Sequence, residues 1–295
     1  MRVLADVANR LGESVLWHRP TGTIHWIDLL EPERLAYDVT TGQLSRHTFD
    51  LPAPLGALVQ TTDPNVFVLA HRGGLAWLGN ADSLLKPFVD PERGRDGVSY
   101  NDCKVDRFGR LWVGTSHIAE LEPRGCLWCV TSDGTATLAD AGFAVSNGPA
   151  FSPDGRTMYF SDSLARKILA YDIGPDTPHA RNRRVFAAFT DQDGLPDGLT
   201  VDAEGCVWVA HWAGSQISRW SPDGERLESL AVPSVHVTAL AFGGGDMRTL
   251  YITTAREAAD PLALQDLPHS GALFAFEPGC EGIAETPFAA PERQV

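Results

Sequence analysis

Four side chains that could act together are Glu13, Asn101, Asn147 and Asp197, which open the segments GESVLWH, NDCKVDRFG, NGPAFSPDG and DGLTVDAEG. Each carries a carboxylate or amide oxygen. Such hard donors suit Ca²⁺, Mg²⁺ or Mn²⁺, and less selectively Zn²⁺ or Fe²⁺. Asn and Asp also favour turns, so any one of the four taken alone reads equally as a cap on its segment. Four in register, each preceding the same kind of segment, point instead to one divalent-cation site. No G-x-S-x-G elbow occurs in the chain, so a serine nucleophile of that type is not indicated.

The elements that must position these residues recur with them. Runs such as TIHWID, VFVLAH, RLWVGT, MYFSDS, CVWVAHW and TLYITT are rich in Val, Ile, Thr and aromatics. Turn residues bound them, as expected for strands. One unit repeats: a polar or small opening, a short apolar run, a tight turn containing Asp and Gly, and an aromatic strand. It appears at 12–28, 101–115, 147–162 and 197–212, with weaker copies at 56–71 and 238–254. The openings at 13, 56, 101, 147, 197 and 238 lie 41 to 50 residues apart. That period, with several strands per unit, predicts an all-β, six-bladed β-propeller with four-stranded blades. The whole chain, 1–295, is expected to be one such domain. The N-terminal RVLADVA has no blade of its own and should close the ring by pairing as outer strand near 272–277. Only 259–267, ADPLALQDL, reads as helix.

Composition narrows the function. The 295 residues are 43% hydrophobic and 21% charged, an ordinary globular mix, with 24 Lys and Arg against 38 Asp and Glu. A net charge of −14 without a basic run excludes nucleic acid as a main partner and disfavours an anionic membrane surface. No apolar run spans a bilayer, and the opening MRVLADVANRLGE lacks a secretory core, so a cytoplasmic location is expected. The charge suits a soluble monomer or homodimer. Five scattered cysteines do not form a disulfide framework. The Cys126–Cys129 pair falls on a strand, where positions i and i+3 face opposite sides roughly 10 Å apart.

The segments LGESVLWH, YNDCKVDRFGRLWVGT, SNGPAFSPDGRTMYFSDS and LPDGLTVDAEGCVWVAHW resemble the SMP-30/gluconolactonase/regucalcin-like family, from about residue 11 to near 276. The resemblance implies a six-bladed propeller with one divalent ion in its channel, held by Glu13, Asn147 and Asp197. Asn101 then matches a substrate-contacting position. The implied activity is hydrolysis of a sugar-acid lactone, pentono- or hexonolactone, to the aldonic acid. Three protein oxygens would leave coordination positions open for substrate, and Asp197 would serve as general base. Related readings are a lactonase or phosphotriesterase for other esters, and a regucalcin-like metal-binding regulatory protein. Family members often carry Arg two positions before the Asn at 101, whereas this chain has Ser99. The rigid guanidinium clamp is therefore absent, and Tyr100 is a candidate to take part of its work. His117 and His236, near blade mouths, are candidate substrate contacts or proton relays. Glu120 and Glu122 read as surface charges; His18, His25 and His211 as blade packing; and the tryptophans as inter-blade core, Trp212 included, although its place after the VWVAHW strand also offers it to a substrate.

Overall fold

The repeated turn chemistry sets the blades. In the first hairpin of blade 3, Asp106 Oδ1 accepts from the N–H groups of Phe108 and Arg110, while Oδ2 accepts from Trp112 Nε1 at 2.7 Å. Asp202 does the same in blade 5, capping Glu204 and Cys206 and accepting from Trp208 Nε1 at 2.9 Å. One Asp thus closes the turn and satisfies the indole of a fully buried Trp. Gly109 and Gly205 supply the positive φ in these turns.

The structure, a computed structural model, describes residues 1–79 and 85–291. Among the described residues, twenty-four strands form six four-stranded antiparallel sheets. Five sheets follow chain order; the sixth is ordered Arg2–Ala5, Leu273–Phe276, Thr249–Ala255, His236–Gly243. The N-terminal strand therefore closes the ring on the last blade, Arg2 opposite Ala275, where the sequence placed it. The helix is Pro261–Asp266, capped by the Asp260 side chain on Leu262 N–H. Apolar clusters lie between neighbouring blades, with Trp26, Trp112 and Trp208 fully buried. Cys126 and Cys129 are buried free thiols on strand Gly125–Val130.

The six inner strands are Gly12–His18, Leu55–Gln60, Val98–Val105, Ser146–Phe151, Leu195–Val201 and His236–Gly243. Each breaks register just after its opening, at Glu13/Leu16, Leu55/Leu58, Tyr100/Cys103, Asn147/Ala150, Pro196/Leu199 and Val237/Leu240. Bulges re-aim side chains, and here they sit where the inner strands open at the channel mouth. Space at the axis is short: a Cβ on Gly56 would lie 2.9 Å from the Asn101 carbonyl oxygen. Blade 2 contributes close backbone packing at this level instead of a polar group.

The C-terminal segment beyond the last strand was not legible as an element. It runs under the propeller: Gly282 bridges Asp202, Phe288 bridges Thr61, and Glu285 meets Lys104 at 3.2 Å. Phe288 is fully buried with Tyr100, Val105 and Val59 in one cluster.

Candidate active site

Glu13, Asn101, Asn147 and Asp197 converge on one cavity of about 480 Å³ at the channel mouth. This is ample for a small ligand. The amides are oriented by their own nitrogens. Asn101 Nδ2 donates to the Ser146 carbonyl at 2.6 Å and to Asn147 Oδ1 at 2.8 Å. Asn147 Nδ2 donates to Ser163 Oγ at 3.0 Å. With both NH₂ groups engaged, Asn101 Oδ1 is left as an acceptor for whatever binds, and Asn147 Oδ1, already accepting from Asn101, keeps its second lone pair.

The two carboxylates are buried, Glu13 at 9% and Asp197 at 4% exposure. Glu13 Oε2 accepts from Ser14 N–H at 3.1 Å, while Asp197 Oδ1 is buried with no hydrogen-bond partner. Burial first, then the charge of Asp102, pushes the Glu13 carboxyl well up. Burial first, then Glu13 and Asp102, does the same to Asp197. Two buried acids, the charge of Glu13 raising Asp197 and one Asp197 oxygen orphaned, form a site short of positive charge. Among the described residues no three His, Cys, Asp or Glu side chains gather as metal ligands. The channel set is instead two carboxylates completed by amide oxygens, a donor chemistry that fits a hard divalent cation.

Behind this pair lies Asp102, whose oxygens accept from Cys103 N–H and Gly148 N–H, each at 2.9 Å. Burial raises it to about 6. With Lys104 and Glu285 it lines a second cavity of about 40 Å³.

The remaining sequence candidates separate. Ser99 lines the cavity, paired in register with Ser116, which lines it too. Tyr100 does not. Its hydroxyl donates to Asp90 Oδ1 at 2.7 Å and accepts from Glu92 N–H at 3.0 Å, within the interior between blades 2 and 3. Strand alternation explains the correction: Ser99 and Asn101 share one face and Tyr100 takes the other. His117 lines the cavity, and its Nδ1 accepts from the backbone N–H groups of Leu121 and Glu122 at 3.3 and 3.0 Å. That leaves the ring hydrogen on Nε2, a donor available to a ligand.

His236 is not in the cavity wall. Its ring stacks on Trp212, with centroids 4.0 Å apart and 12° between planes, and its Nδ1 accepts from Ala213 N–H. Burial lowers it to about 4, so it is neutral near pH 7. It backs Trp212, and Trp212 forms the wall. Glu120, read as a surface charge, borders the cavity as well, as do Ser163 and Glu257. Ser116, Ser163 and Glu257 were missed individually, yet with Trp212 they share a signal. All lie at or just beyond the end of a blade's second strand, a fixed place in the repeat.

A six-bladed propeller with an acidic, oxygen-lined channel mouth is the class that this fold and site define. The SMP-30/Gluconolactonase/LRE-like region matches residues 11–256, and the chain belongs to that family. It is 33% identical to 6-deoxy-6-sulfogluconolactonase of Pseudomonas putida over 279 residues, 95% of each chain. It is also 33% identical to L-arabinolactonase of Azospirillum brasilense over 294 residues, 99% of this chain and 96% of that one. Among solved structures, a calcium-binding protein, regucalcin, from Agrobacterium tumefaciens superposes with a TM-score of 0.91 at 29% identity, covering 98% of this chain and 97% of the other.

Proposed function

We propose that the protein, as one propeller domain, hydrolyses a pentono- or hexonolactone to its aldonic acid with one divalent cation held by Glu13, Asn147 and Asp197. Lactonases similar along nearly the whole chain make it a lactone-hydrolysing enzyme acting on sugar lactones. The observation that carries the cation is the buried Glu13–Asp197 pair, with its partnerless Asp197 Oδ1 beside two oriented amide oxygens. When bound there, a divalent cation supplies Lewis-acid polarisation of the lactone carbonyl and offsets charge that develops on its oxygen.

The protein's own groups do the rest. Asn101 Oδ1, its nitrogen already engaged, accepts from a ring hydroxyl and fixes the ring over the carboxylates. His117 Nε2–H and Ser99 supply further polar contacts along the same edge. A carboxylate oxygen of Asp197 takes a proton from the attacking water as the carbon–oxygen bond forms. The same proton passes to the ring oxygen as the ester bond breaks, giving the acid and a free hydroxyl. The enclosing cavity walls limit competing water around this exchange. No helix among the described residues is long and apolar enough to cross a membrane; a cytoplasmic site of action is part of the proposal.

Proton release from a panel of pentono- and hexonolactones tests the reading, using chelator-treated protein supplied in turn with Ca²⁺, Mg²⁺, Mn²⁺, Zn²⁺ and Fe²⁺. Cation-restored hydrolysis above the spontaneous rate is expected. Tight cation binding with no turnover of any lactone would favour the second reading, a metal-binding regulatory protein, which the likeness to the calcium-binding regucalcin supports.

A further inference from the structure

The cavity wall is not uniform around the ring. Blade 3 supplies most of its polar groups, Ser99, Asn101, Ser116, His117 and Glu120 beside Ile118, and blade 4 adds Asn147 and Ser163. Blades 1 and 2, apart from Glu13 at the base, supply only Leu11, Leu29, Leu30, Ala53 and Pro54. Trp212, held flat against His236, adds a further apolar surface from blade 5. A fully hydroxylated aldonolactone would turn hydroxyls toward Leu29 and Leu30, where no polar side chain receives them, and a buried unpaired hydroxyl costs binding. The charge is equally one-sided: Glu13, Asp197, Glu120 and Glu257 border the cavity, and no Lys or Arg does among the described residues. The nearby Arg10 is engaged by Glu257 at 2.6 Å.

We propose that the preferred substrate is an uncharged lactone with hydroxyls along one edge and a deoxygenated, methyl-like exocyclic end, which packs against the apolar sector of blades 1 and 2. This deepens the lactonase reading and rests on it. The hydroxyls meet Asn101, Ser99 and His117, while the apolar end lies against Leu29, Leu30 and Pro54. Lactones carrying a phosphate, sulfonate or second carboxylate are turned away, because nothing in the wall neutralises them and the carboxylates repel them.

Matched pairs provide the test: hexono-1,4-lactones and their 6-deoxy counterparts, in the gluco, galacto and manno series and both enantiomers, with 6-phosphogluconolactone as the anionic probe. In the best-used series kcat/KM should favour the 6-deoxy member by roughly tenfold or more, the scale for one group in an apolar pocket. The phosphorylated lactone should be slower by about a hundredfold or more. Leu30→Asn should move the deoxy-to-parent ratio roughly tenfold toward the hydroxylated member. That ratio is read within one preparation, so a partly misfolded variant does not distort it. Equal or better use of the parent lactones, or ready turnover of the phosphorylated one, overturns this proposal and leaves lactone hydrolysis standing. No turnover of any lactone overturns both.

Discussion

Removing the cation should leave the protein folded but less stable, by an amount its size allows to be worked out. Without a cation, Glu13 and Asp197 are buried together with Asp102 behind them. A ligand that binds only the folded state stabilises it by RT ln(1 + [L]/Kd), about 2.7 kcal/mol at a hundredfold excess over Kd. Unfolding entropy near 2.1 cal/mol/K per residue gives roughly 0.6 kcal/mol/K for 295 residues. The melting temperature should therefore rise by about 4 °C when chelated protein is saturated with its cation. Asp197→Asn removes one of the two mutually repelling acids and one ligand. Its cation-free form should melt at or above the cation-free parent, by on the order of 2 °C for a gain of about 1 kcal/mol, and the cation should then shift it little. Differential scanning fluorimetry in chelator, then with each cation, reads both arms. If no cation moves the parent, or if one moves Asp197→Asn equally, the assignment of these oxygens to a cation is refuted.

Three further outcomes follow from positions away from that pair. Phe288→Ala should destabilise the protein by about 3–5 kcal/mol, the range for a fully buried Phe, read by urea unfolding; a loss under about 1 kcal/mol would mean that the C-terminal segment does not close the base of the propeller. His236→Ala should raise KM about two- to tenfold with kcat nearly kept, because Trp212 loses an aromatic backing of about 0.5–1.5 kcal/mol; a fall in kcat at constant KM would make it a proton relay instead. His211 is fully buried, with Nδ1 on the Asp193 carbonyl at 2.7 Å and Nε2 on Ser218 Oγ at 2.6 Å, and burial lowers it from 6.5 to about 4. Between those values the unfolded chain binds the extra proton, so stability is intact above pH 6.5 and falls as pH drops toward 4. The loss from pH 7 to pH 5 should be about 2 kcal/mol from this group, measured by denaturant unfolding; an unchanged loss in His211→Gln would remove it from the account.

The blades and the convergence of the four polar openings were legible because both depend on local chemistry repeated in the chain. A tight turn built on Asp, Gly or both, followed by an aromatic strand, is a short-range signal. Six copies of it fix the strand count and place Glu13, Asn101, Asn147 and Asp197 at equivalent openings. Ring closure followed from the lone N-terminal strand, which otherwise leaves an exposed edge. Tyr100 was misplaced by adjacency, since its neighbour Asn101 faces the cavity and a strand sends successive side chains to opposite sides. Phe288 and Glu285 carry no repeat signal: their places depend on contacts with Thr61 and Lys104, far away in sequence. Glu120 belongs to the loop that turns around His117 Nδ1, and a loop of this kind has no periodicity to read.

The central claim is that one cation, held by Glu13, Asn147 and Asp197, goes with lactone hydrolysis. Titrating chelator-stripped protein with Mn²⁺, while following bound ion by electron paramagnetic resonance and turnover of a lactone in the same samples, tests it most directly. Activity should rise in step with bound ion and break at one equivalent per chain, while Asp197→Ala, still folded, should neither bind the ion nor turn over substrate. Full activity in stripped protein, or an active Asp197→Ala, would contradict the account.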